Sequence, residues 1–517
     1  MVSMDDQGAQ TARRSRGGAA QRRAQRTSST VTHLPVLAQN LTALECLSLE
    51  GLELIEHNAD TVLQEIGIEF HDEIALAQWK EAGADVQGQR VRFERGFCRE
   101  LCKTLPQQFV QHARNPERSV MIGGRNTVFA PNYGSPFYLD YQTERRYATL
   151  EDFQNIVKLV YRLPALHHSG GTVCEPVDVP VNKRHLDMVW SHLVYSDKPI
   201  MGSVTAPERA QDTVDMLKLV FGADFVDQNC CSTSLINANS PMIFDETMLG
   251  ALRVYAQNNQ ACIISPFIIG GAMSPVTPVG VMTQALAEVM TGLAYTQVVR
   301  QGAPAIFGTF ASSMSMQSGA PTFGTPEPGM VIMGMAALAR RMSVPFRTGG
   351  SLNASKIPDA QAAYETMHSL YQSVFAGTNF ILHSAGWLEG GLVVCPEKLI
   401  MDADQLHMLQ ILSKGPALDE NGQAMDAIRE VGPGKHYLGC EHTKRNFETA
   451  YYPSTFAHSN SFEQWDSEGR QDSWQRAHQV YQKHLANYEA PSMDIGMRES
   501  LDAFVKSKKD SMPDLMY

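Results

Sequence analysis

Short apolar runs alternate with longer stretches of helical periodicity from about residue 120 to about residue 412. Such alternation predicts repeated strand and helix units of a parallel α/β fold. The predicted strands are residues 127–130 with 137–139, 167–171, 199–204, 232–237, 262–267, 305–309, 345–349 and 380–384. The predicted helices include residues 209–221, 246–258, 281–301, 329–341, 360–375 and 397–412. Eight units predict a closed (β/α)8 TIM barrel over residues 121–412.

The segments on either side of the barrel have different patterns. Apolar residues at helical spacing between residues 41 and 66 predict a helical hairpin, and a short strand and a helix follow over 91–106. Residues 34–120 are therefore predicted as an N-terminal helical layer. Residues 413–517 are polar and helical in pattern, and they predict a C-terminal helical extension that caps the barrel or supports a homo-oligomer.

The first 33 residues lack apolar periodicity and contain arginines between Arg13 and Arg26 among Gly, Ala, Gln and Ser. This composition predicts a disordered basic tail. Docking to an acidic partner is the alternative, and an organelle transit peptide is disfavoured by Asp5 and Asp6.

Composition narrows the functional class. The chain has 517 residues, 43% of them hydrophobic, and a formal net charge of −12, which argues against a nucleic-acid-binding body. No apolar run approaches the roughly 18 residues that a membrane-spanning helix needs. The nine cysteines show no paired zinc-ligand spacing. We therefore expect a cytoplasmic protein with reduced thiols, no metal site, and no nucleic-acid or membrane partner.

Barrel enzymes work at the carboxyl ends of their strands, and glycines are frequent at those positions here. They would leave a low rim that admits a broad, flat ligand, although glycine also serves tight turns. The candidate glycines are Gly170, Gly171, Gly270, Gly271, Gly349 and Gly350.

Aromatic side chains at the same ends suit a methylated cation, because ring faces attract a charge that cannot donate hydrogen bonds. Tyr133, Tyr138 and Phe310 are the candidates, and core packing is the alternative for each. A substrate carboxylate would need donors such as those of Ser351, Asn353 and His383. His383 could also be an acid or base, or a neutral core residue.

Glu327 lies between Pro326 and Pro328, which restrict its backbone, and it is the best candidate for a catalytic acid. The sequence lacks a Ser/His/Asp nucleophile context, His-Glu-x-x-His, Gly-x-Gly-x-x-Gly after a strand, and a phosphate-binding Gly-x4-Gly-Lys motif. Acyl transfer, zinc hydrolysis and nucleotide binding therefore have no support.

Four stretches resemble the trimethylamine methyltransferase family: Gly324-Thr-Pro-Glu327, Gly349-Gly350, the Ser355 to Gln361 segment, and His383 to Gly391. The resemblance covers about residues 35–490. It implies a (β/α)8 barrel that moves a methyl group from a methylated amine to cob(I)alamin on a separate corrinoid-binding protein. No tightly bound cofactor is then expected, and Gly170, Gly171, Gly270 and Gly271 would border the corrin.

Archaeal trimethylamine enzymes of this family carry pyrrolysine, whereas this chain contains only the standard residues. When a quaternary ammonium gives up a methyl group, the leaving group is a neutral tertiary amine, so the reaction needs no such residue. The resemblance therefore implies the non-pyrrolysine branch, which is similar to glycine betaine:corrinoid protein methyltransferases of methanogenesis-type one-carbon metabolism. Two alternatives stay open: lyase or isomerase chemistry on a small carboxylated substrate, and a non-catalytic quaternary-ammonium-binding protein.

Overall fold

The computed structural model describes residues 34–454 and 456–515. The predicted basic tail, residues 1–33, lies outside the described residues. The strands, in chain order, are β1 Leu37–Ala38, β2 Ile68–His71, β3 Asp85–Gln87, β4 Arg90–Arg92, β5 Gln108–Gln111, β6 Val120–Gly123, β7 Asn126–Phe129, β8 Phe137–Tyr138, β9 Arg146–Tyr147, β10 Ile200–Met201, β11 Ser232–Ala238, β12 Ile243–Asp245, β13 Ala261–Ile269, β14 Ala305–Gly308, β15 Phe310–Met314, β16 Pro321–Thr322, β17 Phe346–Gly349, β18 Phe380–Leu382, β19 Trp387–Leu388 and β20 Val393–Val394.

The α-helices are Leu49–Thr61, Glu73–Glu81, Phe97–Cys102, Leu150–Arg162, Arg184–Tyr195, Pro207–Phe221, Ala223–Gln228, Glu246–Gln257, Pro278–Val299, Pro326–Arg341, Ala360–Phe375, Pro396–Lys414, Glu420–Gln423, Met425–Val431, Glu441–Asn446, Phe462–Ser467, Ser473–Ala486 and Ile495–Asp510. The helix predicted over residues 360–375 is observed with the same bounds. It starts there because the Asp359 carboxylate accepts a hydrogen bond from the Ala362 amide, 2.9 Å away.

The largest sheet runs in the order β10-β11-β13-β14-β17-β18-β7-β6-β5. From β10 to β7 all neighbouring strands are parallel, and helices connect them, so the chain has an α/β fold with a mixed sheet. The predicted strand at residues 167–171 forms only a bridge, between Gly170 and Ile200. Its backbone nevertheless bonds to both sides, because the His167 amide donates to Phe129 and the Ser169 amide donates to Pro199.

The predicted helical hairpin at residues 41–66 is wrong. One helix, Leu49–Thr61, continues into a short π-helical turn, Val62–Ile66. Gly67, with φ +81°, ends the turn, and the missing side chain leaves room for the Val91 carbonyl. The chain then enters β2, so this layer combines helices with a four-stranded sheet of β12, β2, β4 and β3.

The helix Pro278–Val299 is buried around nearly its whole circumference. Its apolar residues share one core with Leu52, Trp79 and Phe93 of the N-terminal layer and with Ile264 of β13. A helix covered on both sides must be apolar on both faces. Gly292 permits the contact with the sheet, because an added Cβ would lie 2.4 Å from Ile264.

The C-terminal extension packs on the α/β body through two helices. Ala477 and Tyr481 belong to the same buried cluster as Phe153 and Leu399, and Leu501 and Val505 join the core of the N-terminal layer. Across the two described ranges, no helix combines the length and apolar character needed to cross a membrane.

Candidate functional site

Five rings from the segments that follow β7, β14 and β18 meet at the carboxyl ends of the parallel strands. His383 directly follows β18, Phe310 begins β15 after β14, Trp387 begins β19, Phe323 precedes the helix Pro326–Arg341, and Tyr133 follows β7. We call Tyr133, Phe310, Phe323, His383 and Trp387 the aromatic cluster. The His383 ring centroid lies 4.4 Å from Trp387, 5.4 Å from Phe310 and 6.4 Å from Tyr133. Phe310 is 5.8 Å from Trp387 and 6.0 Å from Phe323.

His383 is held in the left-handed backbone region, with φ +56°. This conformation is costly for a residue with a side chain and persists where surrounding contacts impose it. Its amide donates to the Pro131 carbonyl at 3.1 Å, and its carbonyl accepts from the Ser351 amide at 2.7 Å. The segments after β7 and β17 therefore hold the His383 backbone in this conformation.

Burial holds the pKa of the His383 imidazole well below its usual range, and the nearby Arg347 charge lowers that pKa further. The imidazole is therefore neutral near pH 7. Its Nδ1 is buried and has no hydrogen-bond partner among the described residues. The aromatic cluster thus presents no positive charge of its own at this position.

Arg347, the second residue of β17, is 1% exposed and lies beside Phe310 of the aromatic cluster. Its Nη1 donates to Ser265 Oγ at 3.0 Å and to the Thr309 carbonyl at 3.3 Å. The guanidinium carbon is 5.8 Å from the Phe310 ring centroid. Burial lowers the pKa of Arg347 to about 9, so the group keeps its charge at neutral pH. Sequence reasoning missed this residue, whose signal was a single cation inside an apolar strand.

The predicted donor Ser351 is fully buried in a polar network below the cluster. Its Oγ donates to Asp402 Oδ2 at 2.7 Å and accepts from Lys398 Nζ at 3.1 Å. Lys398 and Asp402 form a buried ion pair, and Asp402 also accepts from the Gly386 amide at 2.9 Å. Asp402 therefore links Ser351, which follows β17, to Gly386, which directly precedes Trp387. Neither Lys398 nor Asp402 was found from the sequence.

Asn353 fixes the indole of Trp387 by two hydrogen bonds. Its Nδ2 donates to the Trp387 carbonyl at 2.7 Å, and the Trp387 indole N–H donates to the Asn353 carbonyl at 3.2 Å. The Asn353 Oδ1 atom is buried and has no partner within the described part of the chain. Asn353 thus lies next to the aromatic cluster, and its contact with a substrate stays a prediction.

The two predicted tyrosines lie in different places. Tyr133 joins the aromatic cluster, and burial raises the pKa of its phenol to about 12. Tyr138 belongs to β8, which pairs with β20 and β9 rather than with the parallel sheet. Its hydroxyl lies 3.2 Å from that of Tyr481, in the core under the C-terminal extension.

Close packing accounts for part of the glycine pattern. A Cβ on Gly171 would lie 2.8 Å from Met201, and one on Gly350 would lie 2.6 Å from Ile381. Gly170 and Gly271 both have φ +90°, and a Cβ on Gly349 would contact Leu352 at 3.0 Å. Among the six candidate glycines, Gly270 and Gly271 have ordinary space beside them, since an added Cβ would lie 3.5 Å and 3.4 Å from its nearest neighbour. Contact with a corrin stays a prediction for these glycines.

Glu327 lies exposed in the first turn of the helix Pro326–Arg341. Within residues 34–454 and 456–515, its carboxylate makes no hydrogen bond or ion pair. Its role as an acid stays a prediction. No group of three or more His, Cys, Asp or Glu side chains in the described ranges could hold a metal ion.

A family model described as trimethylamine methyltransferase (MTTB) matches residues 14–513. The chain belongs to the trimethylamine methyltransferase family. It is 40% identical over 473 residues to a glycine betaine methyltransferase of Desulfitobacterium hafniense, covering 91% of this chain and 98% of that protein. It is 25% identical to a proline betaine:corrinoid methyltransferase of Eubacterium limosum, covering 89% and 96%.

Among solved structures, the fold of this family member is similar to the monomethylamine methyltransferase of Methanosarcina barkeri. The TM-score is 0.51 over 89% of each chain, at 10% sequence identity. This likeness supports the fold and is too distant to carry residue roles.

Proposed function

We propose that this family member is a corrinoid-dependent methyltransferase that takes a methyl group from glycine betaine or a related betaine. The aromatic cluster carries the proposal. Four of its rings, Phe310, Phe323, His383 and Trp387, are at most 7% exposed, and the imidazole is neutral. A quaternary ammonium can lose its water in such a site, because ring faces attract it and no hydrogen bond has to be replaced. The 40% identity to a glycine betaine methyltransferase supports the same substrate class.

The acceptor in this proposal is cob(I)alamin carried by a separate corrinoid-binding protein, and it supplies the nucleophile for the methyl group. The surroundings of Phe267 fit such an acceptor. Phe267 stacks on Phe310 with ring centroids 5.5 Å apart and is 39% exposed, so the aromatic cluster reaches the surface there. Gly270 and Gly271 follow in the same strand end, whereas the space beside Gly170 and Gly171 is filled by Pro131, Tyr133 and Met201. Gly270 and Gly271 are therefore the stronger candidates to border the corrin.

The residues of this chain then have binding and orienting tasks. The rings of Trp387 and Phe310 hold the ammonium, and the hydrogen bonds of Asn353 keep the indole in place. The amine product leaves neutral, so no side chain has to donate a proton to it. A neutral His383 is consistent with this division of tasks.

We also propose that the parallel strands close into a (β/α)8 barrel. The hydrogen bonds of His167 to Phe129 and of Ser169 to Pro199 support closure, since they link β7 to β10 through residues 167–170. The division into an N-terminal layer, a barrel over residues 121–412 and a C-terminal extension is proposed with it. We expect a cytoplasmic homo-oligomer, and the nine free thiols are consistent with a reducing compartment.

The test is methyl transfer by the purified protein to chemically reduced cobalamin. The donors are glycine betaine, proline betaine, carnitine, choline and trimethylamine, and the readout is the absorbance of methylcobalamin. We expect transfer from at least one betaine and none from trimethylamine. Absence of transfer from every member of the panel, with the cobalamin kept reduced, would refute the proposed function.

A further inference from the structure

The guanidinium of Arg347 has no anionic partner within the described residues, although it is 1% exposed. The other buried arginine of the described residues, Arg118, is paired with Asp197 at 3.0 Å, and the largely buried Arg253 is paired with Asp72 at 2.7 Å. An isolated charge inside a protein is costly unless something compensates it. The fold thus keeps a buried positive charge in the interior of the sheet without supplying a carboxylate for it.

The hydrogen-bonding capacity of Arg347 is only partly used. Both hydrogen bonds of the Arg347 side chain come from Nη1, which donates to Ser265 Oγ and to the Thr309 carbonyl. The buried Nε has no partner, and Nη2 makes no hydrogen bond with the described part of the chain. The Nε and Nη2 edge of a guanidinium is a planar pair of donors that matches the two oxygens of a carboxylate.

Other polar atoms in the same region are also buried and without partners among the described residues. They are Thr309 Oγ1, Ser312 Oγ, Asn353 Oδ1 and His383 Nδ1. Buried polar groups in folded proteins are nearly always hydrogen-bonded, so a group of unpaired ones points to a ligand or to water. Thr309 and Ser312 come from the strand end next to Arg347, whereas Asn353 and His383 lie beside Trp387.

A betaine carries both a methylated cation and a carboxylate, separated by a short carbon chain. The aromatic cluster suits the methylated cation, and the free Nε and Nη2 edge of Arg347 suits the carboxylate; the guanidinium carbon of Arg347 lies 5.8 Å from the Phe310 ring centroid. We propose that Arg347 binds the carboxylate of the methyl donor and thereby makes the site selective for betaines over quaternary amines without a carboxylate. This rests on the proposed function and adds a specificity residue to it.

Binding tests the proposal without turnover. Glycine betaine and its methyl ester carry the same trimethylammonium, but the ester has no negative charge. We expect the wild-type protein to bind glycine betaine roughly 10- to 100-fold more tightly than the ester or choline in calorimetry, since hydrogen bonds between charged groups are strong. Equal affinities for acid and ester in the wild type would overturn the proposal, whatever any variant does.

The variants are Arg347→Met, Arg347→Lys and the control Arg253→Met, which removes a largely buried arginine that already has a carboxylate partner. Arg347→Met should remove the preference for glycine betaine and leave choline affinity within about threefold. Arg347→Lys keeps the charge but loses the planar donor pair, so it should keep part of the preference. Arg253→Met should keep the whole preference.

A preference for glycine betaine that survives in folded Arg347→Met would refute the role of Arg347. The two proposals fail differently. Selective binding of glycine betaine without methyl transfer by the wild type would contradict the methyltransferase proposal and leave the Arg347 subsite supported. Transfer from glycine betaine and choline at equal kcat/KM would support the methyltransferase proposal and contradict the role of Arg347 in selectivity.

Discussion

The imidazole of His383 stands nearly perpendicular to the indole of Trp387, with ring centroids 4.4 Å apart and planes at 74°. An edge of one ring therefore meets a face of the other, which is a favourable geometry for neutral aromatic rings. A protonated imidazole would compete with a substrate cation for that same face. The low pKa of His383 and this geometry both favour a ring that shapes the cation site rather than one that titrates during the reaction.

The first prediction concerns pH. Because the His383 pKa lies well below its usual range and the leaving amine is neutral, we expect the rate of methyl transfer to vary little between about pH 6 and pH 8. The measurement is kcat from methylcobalamin formation at saturating donor. A bell-shaped profile that disappears in His383→Ala would instead assign His383 to acid or base catalysis, as in the lyase or isomerase alternative.

The second prediction concerns the indole. Trp387→Leu removes the ring that His383, Phe310 and Phe323 surround, so the cation site should weaken by about 1–2 kcal/mol, a roughly 5- to 30-fold rise in Kd. Calorimetry with glycine betaine measures it. Trp474→Leu is the control, because Trp474 packs on Tyr141 and is not part of the aromatic cluster. Equal losses in both variants would show a general packing effect.

Glu327 provides the third prediction. Its carboxylate is exposed in the first turn of its helix, where water and salt screen it. If it helps to attract the cation, Glu327→Gln should raise the Kd less than about fivefold, and the difference should vanish in about 0.5 M salt. A large, salt-independent loss of kcat would instead support the catalytic role predicted from the sequence.

Most strands and helices of the α/β body could be predicted because each has its own local signal. The nine-residue strand β13 and the helix Ala360–Phe375, capped by Asp359, are examples. Residues 167–171, however, form only a bridge, and residues 137–138 pair outside the parallel sheet. The hairpin prediction failed because apolar spacing between residues 41 and 66 did not show where the helix starts. Only the cap at Ser48, whose side chain accepts from the Gly51 amide, fixes that start.

Only the part of the site that depends on strand ends could be predicted. Phe310, Asn353 and His383 could be chosen as candidates because they lie at or shortly after the ends of apolar runs. Arg347 was missed because an arginine within a strand is normally placed at an exposed position, and only the structure shows that this one is buried. Lys398 and Asp402 were missed because their contact with Ser351 joins positions 47 and 51 residues apart. Contacts of this kind leave no local pattern.

The fourth prediction concerns the buried pair of Lys398 and Asp402 beneath the aromatic cluster. Lys398→Met leaves a 2% exposed carboxylate without its cation and should cost about 3–5 kcal/mol of stability. Lys398→Met with Asp402→Asn should recover part of this loss, since the amide can still accept hydrogen bonds from Ser351 and Gly386. Thermal unfolding measures both. Lys444→Met, which breaks an exposed pair with Glu441, should leave the unfolding temperature nearly unchanged, because solvent screens that pair.

The last prediction concerns stability in acid and centres on His192. Its Nε2–H donates to the Gly171 carbonyl at 2.6 Å, and Ser169 Oγ donates to its Nδ1 at 2.7 Å, so the ring is bound as a neutral tautomer. Burial lowers the pKa of His192 from 6.5 to about 4, although its bond to Gly171 opposes this.

Well above pH 6.5 this imidazole is neutral in both the folded and unfolded states, so it adds no pH dependence there. As the pH falls below that value, the unfolded chain binds a proton while the folded chain does not until about pH 4, so stability falls. At pH 5 the loss from His192 should be about 2 kcal/mol.

We therefore expect the unfolding midpoint to drop between pH 7 and pH 5, and to drop less in His192→Gln, whose amide can replace both hydrogen bonds without titrating. The surface change His436→Gln controls for the loss of an imidazole elsewhere. Equal drops in the wild type and in His192→Gln would show that His192 is not a source of the acid sensitivity. The remaining slope would then come from other groups, among them His168, whose pKa burial also holds well below its usual range.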